Sequence, residues 1–132
     1  MPKNTLNKIL LVDDEIDLCK IVKVSLEKIG HFKVVYYNSG ADALLHIDDF
    51  KPDLILLDMM MPDMDGIAIL KTLRNTIAYS HTPIVFFTAK MYTHDISRYS
   101  RLGVVDIITK PFDPLALPDR LAKIWETLDH ER

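Results

Sequence analysis

Polar residues stand where several apolar runs of this chain end. Asp13 and Asp14 follow "KILLV", Asp58 follows "LILL", Thr88 closes "IVFFT" and Lys110 follows "VVDIIT". Asp58 is the most telling, because four aliphatic residues precede it with no hydroxyl or amide between. If these residues met, they would form a cluster of three carboxylates, one hydroxyl and one ammonium. Two carboxylates about 4 Å apart repel by roughly 4 kcal/mol at an effective dielectric near 20. Such a cluster calls for a counter-charge, and all-oxygen ligation suits Mg²⁺, with water completing its shell. A carboxylate beside Mg²⁺ can attack phosphorus and become an aspartyl phosphate. The three equatorial phosphoryl oxygens would then find three positive partners: the metal, the Thr88 hydroxyl and the Lys110 ammonium.

Taken singly, each residue has an ordinary reading. Paired acids before a helix serve as N-caps and dipole partners. A threonine after a strand is turn chemistry, and a lysine beside proline is a solvated corner. The conjunction depends on the elements that hold them. Five short runs rich in β-branched or aromatic residues read as strands: "KILLVDD" (8–14), "FKVVYY" (32–37), "DLILLD" (53–58), "PIVFFTA" (83–89) and "VVDIITK" (104–110). The first, third and fourth are continuous rather than alternating, as in strands covered on both faces.

Segments with helical spacing separate them. Leu18, Cys19, Val22, Leu26 and Ile29 form one stripe that stops at Gly30. Ser39 caps a second helix, closed by Lys51-Pro52. Asp65 caps a third, carrying Ile67, Leu70 and Leu73. A weaker fourth spans "TAKMYTHDISRYSRLG" (88–103), and the last begins near Pro118 with Leu121, Ile124, Trp125 and Leu128 as its stripe. Five βα units predict an α/β, doubly wound, five-stranded parallel sheet of order 2-1-3-4-5 with five helices. In that architecture ligands sit outside the carboxyl ends of the strands, where all these polar residues lie.

The 132 residues suit a single domain, 1–132, with a core over about 8–128. A 48% hydrophobic content supports a real core, and the net charge of −3 comes with Lys and Arg scattered rather than blocked. That pattern argues against nucleic-acid binding. The lone Cys19 permits no internal disulfide, and neither a signal peptide nor a membrane span is evident, so a cytoplasmic location is expected. After strand one, a flavin phosphate would meet "DDE", which repels it, and no dinucleotide or Walker motif occurs. Met59, Met61 and Met64 read as packing or a flexible loop rather than a soft-metal site. The histidines at 31, 46, 81, 94 and 130 lack ligand spacing and read as surface residues, and Cys19 reads as inert core. Trp125 and Tyr99 are candidates for the border of the surface formed by the last two helices and strand five, with ordinary packing the stronger reading for Trp125.

With Asp13-Asp14, "DMMMPDMDG" (58–66), "TA" (88–89) and "KPF" (110–112), the chain resembles the response-regulator receiver domains of two-component signalling, over about Lys8 to Leu128. The resemblance implies Asp58 as phosphoacceptor and Mg²⁺ bound by Asp14 directly, by Asp13 mainly through water, by Asp58 and by the Met60 carbonyl. It implies Thr88 and Lys110 as phosphoryl partners, Pro62 and Gly66 shaping the acceptor loop, and a cis peptide before Pro111. The donor would be a phosphohistidine on a sensor histidine kinase or histidine phosphotransfer protein, or a small phosphodonor. The output would be altered affinity for an unidentified protein partner, with a monomer or weak homodimer and no membrane.

Departures from the family pattern carry their own expectations. Ile107 stands three residues before the lysine, where Tyr or Phe is usual. Coupling would therefore run through Thr88 and the loop "TAKMYTH", and phosphoryl mimicry that left Lys90 to His94 unmoved in NMR spectra would contradict this. Met60 and Lys90 occupy positions that tune self-dephosphorylation, and Met60 offers no acid or amide to orient a hydrolytic water. A phosphoryl lifetime longer than in the fast chemotaxis type follows, contradicted by decay within seconds of removing the donor. No output domain follows the last helix, so a stand-alone receiver is expected, catalysing only its own phosphorylation and dephosphorylation. The alternatives are a phosphorelay intermediate, a receiver that never carries phosphate, and a haloacid-dehalogenase-type phosphohydrolase. The last would want an acid where Met60 stands and more chain for a cap.

Overall fold

The computed structural model describes residues 5–62, 64–89, 100, 101 and 103–131. Its strands are β1 (Lys8–Val12), β2 (Lys33–Tyr37), β3 (Leu54–Leu57), β4 (Ile84–Thr88) and β5 (Val104–Thr109). All neighbours pair in parallel, in the order β2-β1-β3-β4-β5. Its α-helices are α1 (Ile16–Val24), α2 (Gly40–Phe50), α3 (Gly66–Arg74) and α4 (Leu117–Glu131). The additional helix expected over 88–103 falls almost wholly outside the described residues, as do the side chains of Lys90, His94, Tyr99 and His130.

The continuous apolar runs are explained by a core on each side of the sheet. Ile9 and Leu11 of β1, Leu54 and Leu56 of β3, and Val85 and Phe87 of β4 share one cluster with Cys19 and Val22 of α1 and Leu121 and Trp125 of α4. Leu10, Val12, Ile55, Leu57, Ile84 and Phe86 alternate with them and join Ala43 and Ile47 of α2 and Ile69, Leu70 and Leu73 of α3. Successive strand residues point to opposite faces, so burial of both faces removes every polar position. The doubly wound arrangement follows.

Local signals act where the spacing places them. The Ser39 hydroxyl accepts from the Asp42 N–H at 3.1 Å, and Asp65 Oδ1 accepts from the Ala68 N–H at 2.8 Å. Each satisfies a backbone donor that the helix leaves free. Met61 is buried, and Met59 and Met64 pack at the edge of the α2–α3 core, as packing methionines should.

One stripe residue differs from expectation. Ile29 is 47% exposed, because α1 continues as a π turn over Ser25–Ile29. The wider turn rotates each residue through a smaller angle than an α-helix does, so the phase lags and Ile29 falls off the inner face. The Ser25 hydroxyl at this turn donates to the Pro114 carbonyl and ties the helix to the segment after β5.

Candidate functional site

The sheet hydrogen bonds continue one residue beyond the strands and thereby set the site. The Asp13 N–H donates to the Tyr37 carbonyl at 3.1 Å, and the Asp58 N–H donates to the Val12 carbonyl at 2.8 Å. The Lys110 N–H donates to the Thr88 carbonyl at 2.8 Å. Asp13, Asp58 and Lys110 are thus held as extensions of β1, β3 and β5 along one carboxyl edge. Thr88 ends β4 on that edge and is buried. The peptide between Lys110 and Pro111 is cis.

Asp13, Asp14 and Asp58 each offer a carboxylate oxygen within 4.8 Å of the others. Asp13 is fully buried, Asp58 is 4% exposed, and Asp14 faces solvent. Lys110 Nζ lies 2.7 Å from Asp13 Oδ2, 3.3 Å from Glu15 Oε1 and 3.8 Å from Asp58 Oδ2. The ammonium also sits 5.2 Å from the centre of the Phe87 ring. One cation therefore faces three anions, with Asp14 adjoining as a fourth.

Burial pushes the Asp58 carboxyl up to about 6 from 3.8. The Met60 N–H, 3.2 Å from its Oδ1, opposes that rise, the Asp13 charge adds to it, and Lys110 counters it in part. Asp13 is raised as well, since burial outweighs its bonds from Lys110 and the Glu15 N–H. Burial alone would lower Lys110, but its hydrogen bond to Asp13 and the surrounding carboxylates carry it above its ordinary value. The geometry therefore concentrates negative charge in a place that water stabilises poorly.

The loop after Asp58 closes tightly. The Gly66 N–H donates to the Met59 carbonyl at 2.9 Å. A Cβ at Gly66 would stand 2.7 Å from the Asp58 carbonyl oxygen and 2.8 Å from Met59 Cα. Only glycine lets α3 start this close to the acid's own backbone. Met60, in the same loop, is 71% exposed.

The donor set fits Mg²⁺. Its three carboxylates are hard oxygen ligands, and their spacing approaches that of cis and trans ligands on an octahedral ion with bonds of about 2.1 Å. Asp14 faces solvent, which leaves room for metal-bound water.

Every proposed side chain among the described residues lies on the same edge. Two neighbours were not singled out by sequence reasoning. Glu15 reaches Lys110, a contact that the third acid of "DDE" hints at. Asn38 donates to the Asp13 carbonyl at 2.9 Å from the end of β2, and no pattern in the sequence announces it. Cys19 Sγ lies 3.4 Å from the same carbonyl, and burial pushes its thiol up to about 12. It is a buried core residue, as expected. Ile107 is half-buried against the α2–α3 core and brings no ring to the β5 position discussed above.

The structure thus combines a parallel sheet of order 2-1-3-4-5 with an acidic cluster and a lysine on its carboxyl edge. The model of the response regulator receiver domain matches residues 9–122, and the chain belongs to that family. It is 39% identical over 114 residues to the DNA-binding response regulator MtrA of Mycolicibacterium paratuberculosis, covering 86% of this chain and 49% of that protein. It is 38% identical over 117 residues to the alkaline phosphatase synthesis transcriptional regulatory protein PhoP of Bacillus subtilis, covering 89% and 48%. The chain thus spans about half the length of these relatives. Among solved structures, the chemotaxis protein CheY4 of Vibrio cholerae superimposes with a TM-score of 0.83 at 28% identity, covering 91% of this chain and 99% of that one. The family is a two-component signalling module rather than an enzyme family. Among the described residues, no helix is long and apolar enough to cross a membrane.

Proposed function

We propose that this chain is a phosphorylation-controlled switch in which Asp58 accepts a phosphoryl group from a phosphohistidine and alters affinity for a protein partner. One observation carries the reading. Asp58 is buried 3.8 Å from Lys110 and shares a cluster with Asp13 and Asp14 whose oxygens lie within 4.8 Å. An Asp58 oxygen attacks phosphorus, the P–N bond to the donor imidazole breaks, and the imidazole keeps the electron pair. Lys110 pairs with one phosphoryl oxygen and the Thr88 hydroxyl donates to another. Asp14, Asp58 and the Met60 carbonyl, with Asp13 mainly through water, would hold Mg²⁺, which would supply the charge that offsets acid–phosphoryl repulsion.

The adjoining surface supports a protein as donor. Ile21, Val24 and Ile29 are exposed and line an apolar trough with Pro114 and Leu115. Ile21 and Pro114 continue it to the rim made by Glu15 and Lys110. The partners are a sensor histidine kinase or histidine phosphotransfer protein and an unidentified target protein. Nucleic acid is a poorer fit to a chain of net charge −3 with dispersed basic residues. About 5.5 kcal/mol of preference for the active form reverses a 1:99 population ratio.

The decisive experiment is labelling with acetyl phosphate. Wild type takes up one phosphoryl group per chain with Mg²⁺ and none with EDTA, while Asp58→Asn takes up none. Equal labelling of the Asn variant, or continuous turnover of p-nitrophenyl phosphate, would refute the reading.

A further inference from the structure

Glu15 occupies the N-cap position of α1, yet its side chain makes no capping hydrogen bond. Its backbone N–H is held instead by Asp13 Oδ1 at 2.9 Å, and its carboxylate reaches Lys110 Nζ at 3.3 Å. Lys110 is thereby held nearer to Asp13 and Glu15 than to Asp58, which stands at 3.8 Å. The two holding groups differ in environment. The Asp13 side chain is fully buried, whereas that of Glu15 is 60% exposed. Releasing Asp13 would strand a buried charge, while Glu15 returns to water at little cost.

We propose that Glu15 is a positioning residue that restrains Lys110 at the rim of the site and gives it up when an anionic phosphoryl group arrives at Asp58. Its role presupposes Asp58 as the acceptor. Asp13 remains bonded to the ammonium, and only the solvated contact breaks. Glu15 thus sets how readily the site accepts the phosphoryl anion. Neutralising it tightens binding of a phosphoryl mimic by about two- to fivefold, the range that a part-exposed ion pair supplies.

The test is titration of beryllofluoride at saturating Mg²⁺, read by ¹⁹F NMR, with wild type, Glu15→Gln and Glu15→Asp. Glu15→Gln binds about two- to fivefold tighter. Glu15→Asp, which keeps the charge but is one methylene shorter, tightens in the same direction. An Asp variant that behaves as wild type, while Gln tightens, would show a long-range charge effect and overturn the restraint. Unchanged or weaker binding by Glu15→Gln would also overturn it. Urea unfolding in EDTA supplies a metal-free measurement: Glu15→Gln lowers the midpoint with Lys110 present and leaves it unchanged beside Lys110→Ala. Equal lowering in both backgrounds contradicts the contact. Wild type that binds no beryllofluoride would instead refute the acceptor assignment of Asp58 itself.

Discussion

Replacing Asp58 by Asn is expected to stabilise the metal-free protein at neutral pH. Burial lifts the Asp58 carboxyl from 3.8 to about 6. Each unit is worth about 1.4 kcal/mol, so ionised Asp58 costs the fold roughly 3 kcal/mol above pH 6. Coulomb estimates agree on the cause. Attraction to Lys110 at 3.8 Å and repulsion from Asp13 are each about 4 kcal/mol at a dielectric near 20 and nearly cancel, leaving desolvation to decide. The sign follows from proton binding. Between pH 3.8 and about 6 the folded state holds more protons than the unfolded, so stability falls as pH rises through that window and the penalty is complete above it. Asn keeps an oxygen for the Met60 N–H but loses the attraction to Lys110, so a net gain of about 1–3 kcal/mol remains. The assay is urea unfolding in EDTA followed by Trp125 fluorescence, at pH 7 and pH 4. The Asn variant should have the higher midpoint at pH 7, with the difference shrinking towards pH 4. A variant less stable than wild type at pH 7 would refute the electrostatic reasoning. Adding Mg²⁺ should then favour wild type, by about 2.7 kcal/mol at a hundred times its dissociation constant.

Other consequences are local. Gly66→Ala forces a Cβ against the Asp58 and Met59 backbone and should cost about 1–3 kcal/mol in urea unfolding, with Mg²⁺ affinity falling alongside. Asp65→Ala removes the oxygen that caps α3 and should cost about 1 kcal/mol, with hydrogen exchange quickening in its first turn. Cys19, with its thiol near 12, should resist a disulfide reagent at pH 8 in the native protein and react at full rate in urea. Prompt native labelling would show that α1 opens far more readily than its packing implies.

Much of the architecture is written in short-range pattern. The runs that end at Asp13, Asp58 and Thr88 specify two-sided strands, because only a sheet covered on both faces tolerates four apolar residues in succession. Ser39 and Asp65 specify helix starts, since a cap acts within three residues of itself. The stripe of Leu121, Ile124, Trp125 and Leu128 specifies the buried side of α4 in the same way. Once βα alternation is legible, handedness and the carboxyl-edge rule bring the acids and the lysine to one rim.

What the chain order alone leaves open is decided through space. Lys110 and Asp13 are 97 positions apart, and only the assembled sheet makes Asp13 a nearer partner than Asp58. The outward turn of Ile29, the contact of Asn38 and the grip of Glu15 likewise arise from a π turn and from the packing of separate strands. Charge pairing follows distance and burial, and neither is a property of neighbouring letters. The sequence therefore determined which groups share the edge, and tertiary structure decided which of them hold one another.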